Sequence, residues 1–166
     1  FELSVTDGSA VVKDTVQVSV NAAPSGGASP VIFSTTTRLG TNNTAVNSLT
    51  AVPAGGLLVL TIAQADDIRD GANATVTSSP ALTWTKRADA GANGSGNAEI
   101  YTAVFTAGGT ITVTSTWAFN LISAVVYAVT NYDPALGGAA VSVSSRTLPS
   151  LGITTTRSNS IIFGVT

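Results

Sequence analysis

Histidine and cysteine are absent from the chain. Nucleophilic catalysis with a histidine base, imidazole–metal chemistry and thiolate sites are therefore excluded. Carboxylates, amides, hydroxyls and aromatic rings are left to carry any chemistry. Asp66, Asp67 and Asp70 stand together in QADDIRDG. Hard oxygens on one loop can hold Ca²⁺; beyond such a Ca²⁺ site, no cofactor is expected. The spacing is not that of an EF-hand loop and Arg69 lies among the three, so a solvated polar loop is the competing reading. Asp89 and Glu99 flank the Gly-rich stretch 90–97. Paired carboxylates can run glycoside hydrolysis. Glu99, however, enters a strand pattern, and no spacing sets the two face to face; the expectation is a chain that is not an enzyme. The stretch 91–96 is a turn rather than a phosphate loop, because no helix and no Lys-Ser/Thr pair follows it.

Flat aromatic rings can stack on sugar rings. Trp84, Tyr101, Trp117 and Tyr132 are the candidates. Trp84 alternates with Thr83 and Thr85, and Trp117 extends the phase of Ile111 and Val113, which favours the core for both. Tyr132, beside Asp133-Pro134, is expected to be the most exposed, so Tyr132 and Trp117 are carried as the glycan-binding pair. Thr110, Thr112, Thr114 and Thr116 share one face of the run TITVTSTW. A flat threonine row can meet ice or a glycan, but one row is also what the solvent face of an antiparallel strand looks like; several rows in register are needed. Asn42, Asn73 and Asn93 each open a glycosylation sequon in a loop.

The elements that must hold these residues are strands. Hydrophobic residues make up 44% and charged residues 10% of the 166 positions. An average domain has about 25% charged residues. Thr, Ser, Ala, Val and Gly fill the gap, and long helix-forming runs are missing. The net charge of −2 argues against nucleic acid, which calls for a basic stripe. Apolar runs fall well short of the roughly 20 residues of a membrane-spanning helix. The stretch 119–130, FNLISAVVYAVT, is apolar on both of its period-two faces, so it must lie centrally in a sheet covered on both sides. Leu57–Ile62 has the same character and is its natural neighbour. Further strands are expected at 31–36, 45–52, 74–78, 81–86, 98–106, 110–117, 140–144, 152–155 and 160–165, separated by Gly, Asn and Pro turns. Many short strands at this spacing predict an all-β, antiparallel β-sandwich of jelly-roll type.

At the N-terminus, FELSVTDGSAVVKDTVQVSV predicts a hairpin turning at Asp7-Gly8. Phe1, Leu3 and Val5 share one face of its first strand, and Val16, Val18 and Val20 one face of the second. The strands FELSVTD and DTVQVSV resemble the last two strands of a PKD-type or related immunoglobulin-like repeat. The resemblance covers about an eighth of the chain. It implies a division into a terminal hairpin (1–22), a Pro/Gly/Ser linker (23–30) and the sandwich (31–166). That second part is similar to the jelly-roll-type modules that accompany such repeats in large exported bacterial surface proteins. The segments GLLVL at 56–60, LTWT at 82–85, AEIY at 98–101 and SAVV at 123–126 carry the likeness. It implies a fold and an extracellular or cell-surface location, not a reaction. Both ends fall inside strand patterns, so a longer parent and a C-terminal truncation are expected.

Two roles follow as expectations. One is a non-catalytic surface module with an adhesive, glycan-binding or spacer role. The other is a subunit of a filament, sheath or virion appendage. An isolated hairpin is marginal in water, so residues 1–20 must bury their apolar face, either in the same chain or on a neighbouring subunit by strand pairing. Carbohydrate and neighbouring subunits are the expected partners. A hydrolase built on carboxylates ranks last.

Overall fold

The computed structural model describes residues 15–20, 30–38, 43–64, 73–91, 97–117, 121–132, 140–143 and 160–165. The described residues form strands and no helix: β1 (Thr15–Val20), β2 (Val31–Arg38), β3 (Thr44–Val52), β4 (Gly56–Gln64), β5 (Thr75–Ser79), β6 (Thr85–Gly91), β7 (Asn97–Phe105), β8 (Gly109–Thr116), β9 (Leu121–Thr130), β10 (Ala140–Val143) and β11 (Ile161–Val165). All pairings are antiparallel.

The two-faced ribbons lie in the middle, as their composition requires. A five-stranded sheet runs β2-β9-β4-β7-β6, with β4 bonded to β9 on one side and β7 on the other. A three-stranded sheet, β3-β8-β5, covers one of its faces. Between them Leu58, Leu60 and Ile62 of β4, Ala124, Val126 and Ala128 of β9, and Phe105 of β7 meet Leu49, Ile111 and Val113. The opposite phase of the same central strands, Val59, Ile100 and Val129, packs with Phe163 of β11. The Phe163 and Tyr127 rings lie 5.0 Å apart at 52°, a tilted aromatic pair of the favoured kind. The molecule is an all-β antiparallel sandwich, with a small sheet β10-β1-β11 against the back of the central one.

Two expectations change. The strand expected at 81–86 begins only at Thr85 and continues to Gly91. The preceding residues fold back instead. Ser78 Oγ accepts hydrogen bonds from Leu82 N (3.1 Å) and from the Trp84 indole N–H (3.2 Å), and both side chains pack on the core. Alternation at 81–84 imitates a strand because Leu82 and Trp84 point inward from a loop. The hairpin expected at 1–20 is also different where it is described. The β1 strand lies between β10 and β11 of the same chain, with Val16 opposite Ser142 and Val165, and Val18 opposite Ala140 and Phe163. Phe1, Leu3 and Val5, and the strand expected at 152–155, lie outside the described residues. Among the described residues no helix is long and apolar enough to cross a membrane.

Candidate functional site

The single threonine row of β8 becomes a grid once its neighbours are in register. Thr116 stands opposite Thr44 of β3 and Thr75 of β5. Thr114 stands opposite Val46 and Thr77, and Thr112 opposite Ser48 and Ser79. These are the outward positions, because the alternate residues Ala45, Asn47, Leu49, Ile111, Val113 and Ser115 are buried. Eight of the nine grid positions carry a hydroxyl, Val46 being the ninth. Thr and Ser suit this face because a β-branched or small polar side chain packs well on a pleated, half-wetted surface. The threonine χ1 angles are stiff, so the hydroxyls are held rather than searching. Some are bonded to one another: Ser48 Oγ and Thr112 Oγ1 are 3.1 Å apart, and Thr44 Oγ1 and Thr116 Oγ1 3.4 Å. Strand spacing sets rows about 4.8 Å apart and hydroxyls about 6.8 Å apart along each strand. The result is a flat, uncharged surface of groups that both donate and accept.

A second cluster sits at the other side of the same sandwich, where β6 and β7 meet Asn73 and Ala74, just before β5. Glu99 is 0% exposed, on the inward face of β7. Its Oε2 accepts from Ala74 N and lies within hydrogen-bond distance of the Tyr101 hydroxyl, both at 3.1 Å. Tyr101 Oη also lies 3.1 Å from the Ala74 carbonyl oxygen. Having one proton, the phenol donates to one oxygen at a time. Burial pushes the Glu99 carboxyl up from 4.5 to about 7, with the Ala74 N–H pulling the other way and Asp89 adding to the rise. Burial, followed by the charge of Glu99, likewise pushes the Tyr101 phenol above its usual value. Asp89 is the residue paired with Glu99 across the β6–β7 ladder. The structure thus sets face to face two carboxylates that no spacing in the sequence could pair. Lys86 reaches into the same place: its Nζ contacts Asp89 Oδ2 and Asn73 Oδ1 and lies 3.8 Å from Glu99 Oε1.

Lys86 was not legible as a site residue, and Tyr101 stood only as a candidate for stacking on a sugar. The available signal was Glu99 itself, a lone acid in the apolar run 98–105, since a buried carboxylate demands partners. The other expected residues scatter. Trp117 is 3% exposed and belongs to the first core, so its ring offers no face to a sugar; its inward phase with Ile111 and Val113 decides this. Tyr132 is half-buried and packs against the second core, less open than its place beside Asp133-Pro134 suggested. Asn73 is exposed, with its side-chain oxygen taken by Lys86. Asp66, Asp67, Asp70, Asn42 and Asn93 lie outside the described residues. No group of three metal-ligating His, Cys, Asp or Glu side chains is found among the described residues. Compared with protein-family models, with curated proteins and with solved structures, the chain matches none.

Proposed function

We propose that this chain is a non-catalytic, extracellular β-sandwich module that adheres to polysaccharide through the hydroxyl face of β3-β8-β5. The observation that supports the reading is the register: three rows of hydroxyls in line across three strands, on a face that no described element covers. A polysaccharide chain presents hydroxyls and ring C–H groups at regular intervals. A rigid array of donor-acceptor hydroxyls meets it with little ordering cost. The face carries no charge, so binding should be insensitive to salt. The resemblance of the chain's segments to modules of exported surface proteins agrees with such a role. In the alternative role, a filament or appendage subunit, residues 1–20 would pair with another copy. Both edges of β1 are occupied within the chain, so that pairing would fall to residues 1–14.

The test is retention on insoluble polysaccharides and on a glycan array. Thr77→Lys and Thr114→Lys place a charged, mobile side chain in the grid. Each is expected to weaken binding at least tenfold. Thr77 is exposed, and substitutions at such surface positions shift stability by only about 0.5 kcal/mol. Binding that survives both substitutions unchanged, or no retention on any polysaccharide, would sink the proposal.

A further inference from the structure

We infer that Lys86 and Asn73 are joined covalently, by an amide formed between the lysine amine and the asparagine side chain, with Glu99 carrying the protons. The inference goes beyond the adhesive reading and uses none of its residues. Three observations converge. The Lys86 Nζ is held against the Asn73 carboxamide. Glu99 Oε1, fully enclosed and without a hydrogen bond, faces the same nitrogen at 3.8 Å. The lysine is also in contact with Asp89, which fixes its approach. A fully buried carboxylate beside a partly exposed lysine amine needs a reason, because the carboxylate is costly to desolvate. An acid–base role supplies one, and a carboxyl that titrates near neutrality exchanges protons in both directions.

The atoms balance without an added reagent. Glu99 Oε1, as carboxylate, takes a proton from the Lys86 ammonium. The neutral amine attacks Asn73 Cγ, and a C–N bond forms as the carbonyl oxygen gains the electron pair. Glu99 then gives a proton to the amide nitrogen of Asn73, and the Cγ–N bond breaks to release ammonia. The remaining proton on the new amide nitrogen passes back to Glu99 or to the ammonia, which leaves as ammonium. The net change is one lysine ammonium and one carboxamide converted to a secondary amide and ammonium. Asp89 is the poorer electrophile of the two side chains touching Lys86. A carboxylate anion resists nucleophilic attack, and 36% of the Asp89 side chain is exposed. The bond would tie β6, an edge of the central sheet, to the residue that leads into β5, an edge of the other. It would close the side of the sandwich opposite β2 and β3, where the Thr36 hydroxyl donates to the Ser48 carbonyl oxygen.

Intact mass spectrometry of the full, denatured chain tests this directly. The expected mass is lower than that of the sequence by one ammonia. Trypsin should fail to cut after Lys86 and should yield a single Asp70–Arg87 peptide, lighter by ammonia, with no backbone fragments between Asn73 and Lys86. Lys86→Arg and Asn73→Ala are each expected to restore the full mass. Glu99→Gln, which keeps the acceptor for Ala74 N but cannot carry protons, is expected to restore it too. A wild-type chain of full mass, cut normally after Lys86, overturns the proposal without any variant. Loss of ammonia with normal cutting after Lys86 also overturns it, as that marks a cyclised asparagine elsewhere. Loss of one water with Lys86 linked to Asp89 overturns the choice of Asn73. A link that still forms in folded Glu99→Gln overturns the role of Glu99.

Discussion

Truncating Phe105 to alanine is expected to lower the unfolding free energy by about 3–5 kcal/mol. For a chain of this size each kcal/mol moves the melting temperature by about 2–4 °C, so thermal unfolding should fall by roughly 6–20 °C. Phe105 closes β7 and is among the largest fully buried side chains. Its cross-strand partner is Gly56, the first residue of β4. A glycine opposite an aromatic on paired strands lets the ring lie across the bare backbone. The geometry shows how close the ring lies. A Cβ placed on Gly56 would sit 2.6 Å from Phe105 Cζ and 2.5 Å from the Val129 carbonyl oxygen. Gly56→Ala is therefore expected to cost about 1–3 kcal/mol by overpacking. The carbonyl belongs to the neighbouring β9 and cannot retreat without loosening the β4–β9 ladder. The double variant should be less destabilised than the sum of the two, because removing the ring relieves one of the two clashes. Urea unfolding of the four proteins measures all of this. A Phe105→Ala cost below about 1 kcal/mol, or strict additivity, would mean that the ring does not fill this place.

The second large effect is on pH. The Glu99 carboxyl is raised in the folded protein from 4.5 to about 7, chiefly because the sandwich excludes water from it. The folded state therefore binds this proton more tightly than the unfolded state. The resulting stability is fully present below the unfolded value and is lost as pH rises through the folded one. The window is pH 4.5 to 7, and a shift of this size corresponds to a loss on the order of 3 kcal/mol across it. Lys86 and Asp89 both face the carboxyl, and Tyr101 remains a neutral phenol throughout. Glu99→Gln should flatten the slope, since glutamine has no proton to lose. The slope between pH 5 and 8 is the readout, not the absolute stability, because the variant would also lack the proposed covalent tie. A wild-type stability that rises over that window, or a slope unchanged in the variant, would contradict the assignment to Glu99.

The covalent tie has an energetic consequence of its own. It would close a loop running from residue 73 to residue 86. In the chain-entropy account of cross-links, a loop of about 15 residues restricts the unfolded chain by about 3 kcal/mol. The tie would fall across the two layers of the sandwich, from β6 to the residues leading into β5.

The sequence by itself determined the fold class and the position of its middle. FNLISAVVYAVT and LLVLTI are apolar on both period-two phases, and a strand with two apolar faces has only one stable place, inside a covered sheet. The inward course of Trp117 follows from the same alternation, as does the outward threonine row of β8. Strand alternation is a local property, written in consecutive residues, so it can be read without coordinates. Tertiary structure decided what lies beside what. The hydroxyl grid exists only because Thr44, Val46 and Ser48 and Thr75, Thr77 and Ser79 come into register with β8. A slip of one residue in either partner would turn its hydroxyls inward. The meeting of Lys86, Asn73, Asp89 and Glu99 depends equally on β6 pairing with β7 and on Asn73 and Ala74, just before β5, lying against them. The place of β1, between two strands drawn from the C-terminal part of the chain, joins residues more than a hundred positions apart. Register and sheet order are set by contacts between distant segments, and no single stretch of the chain contains them.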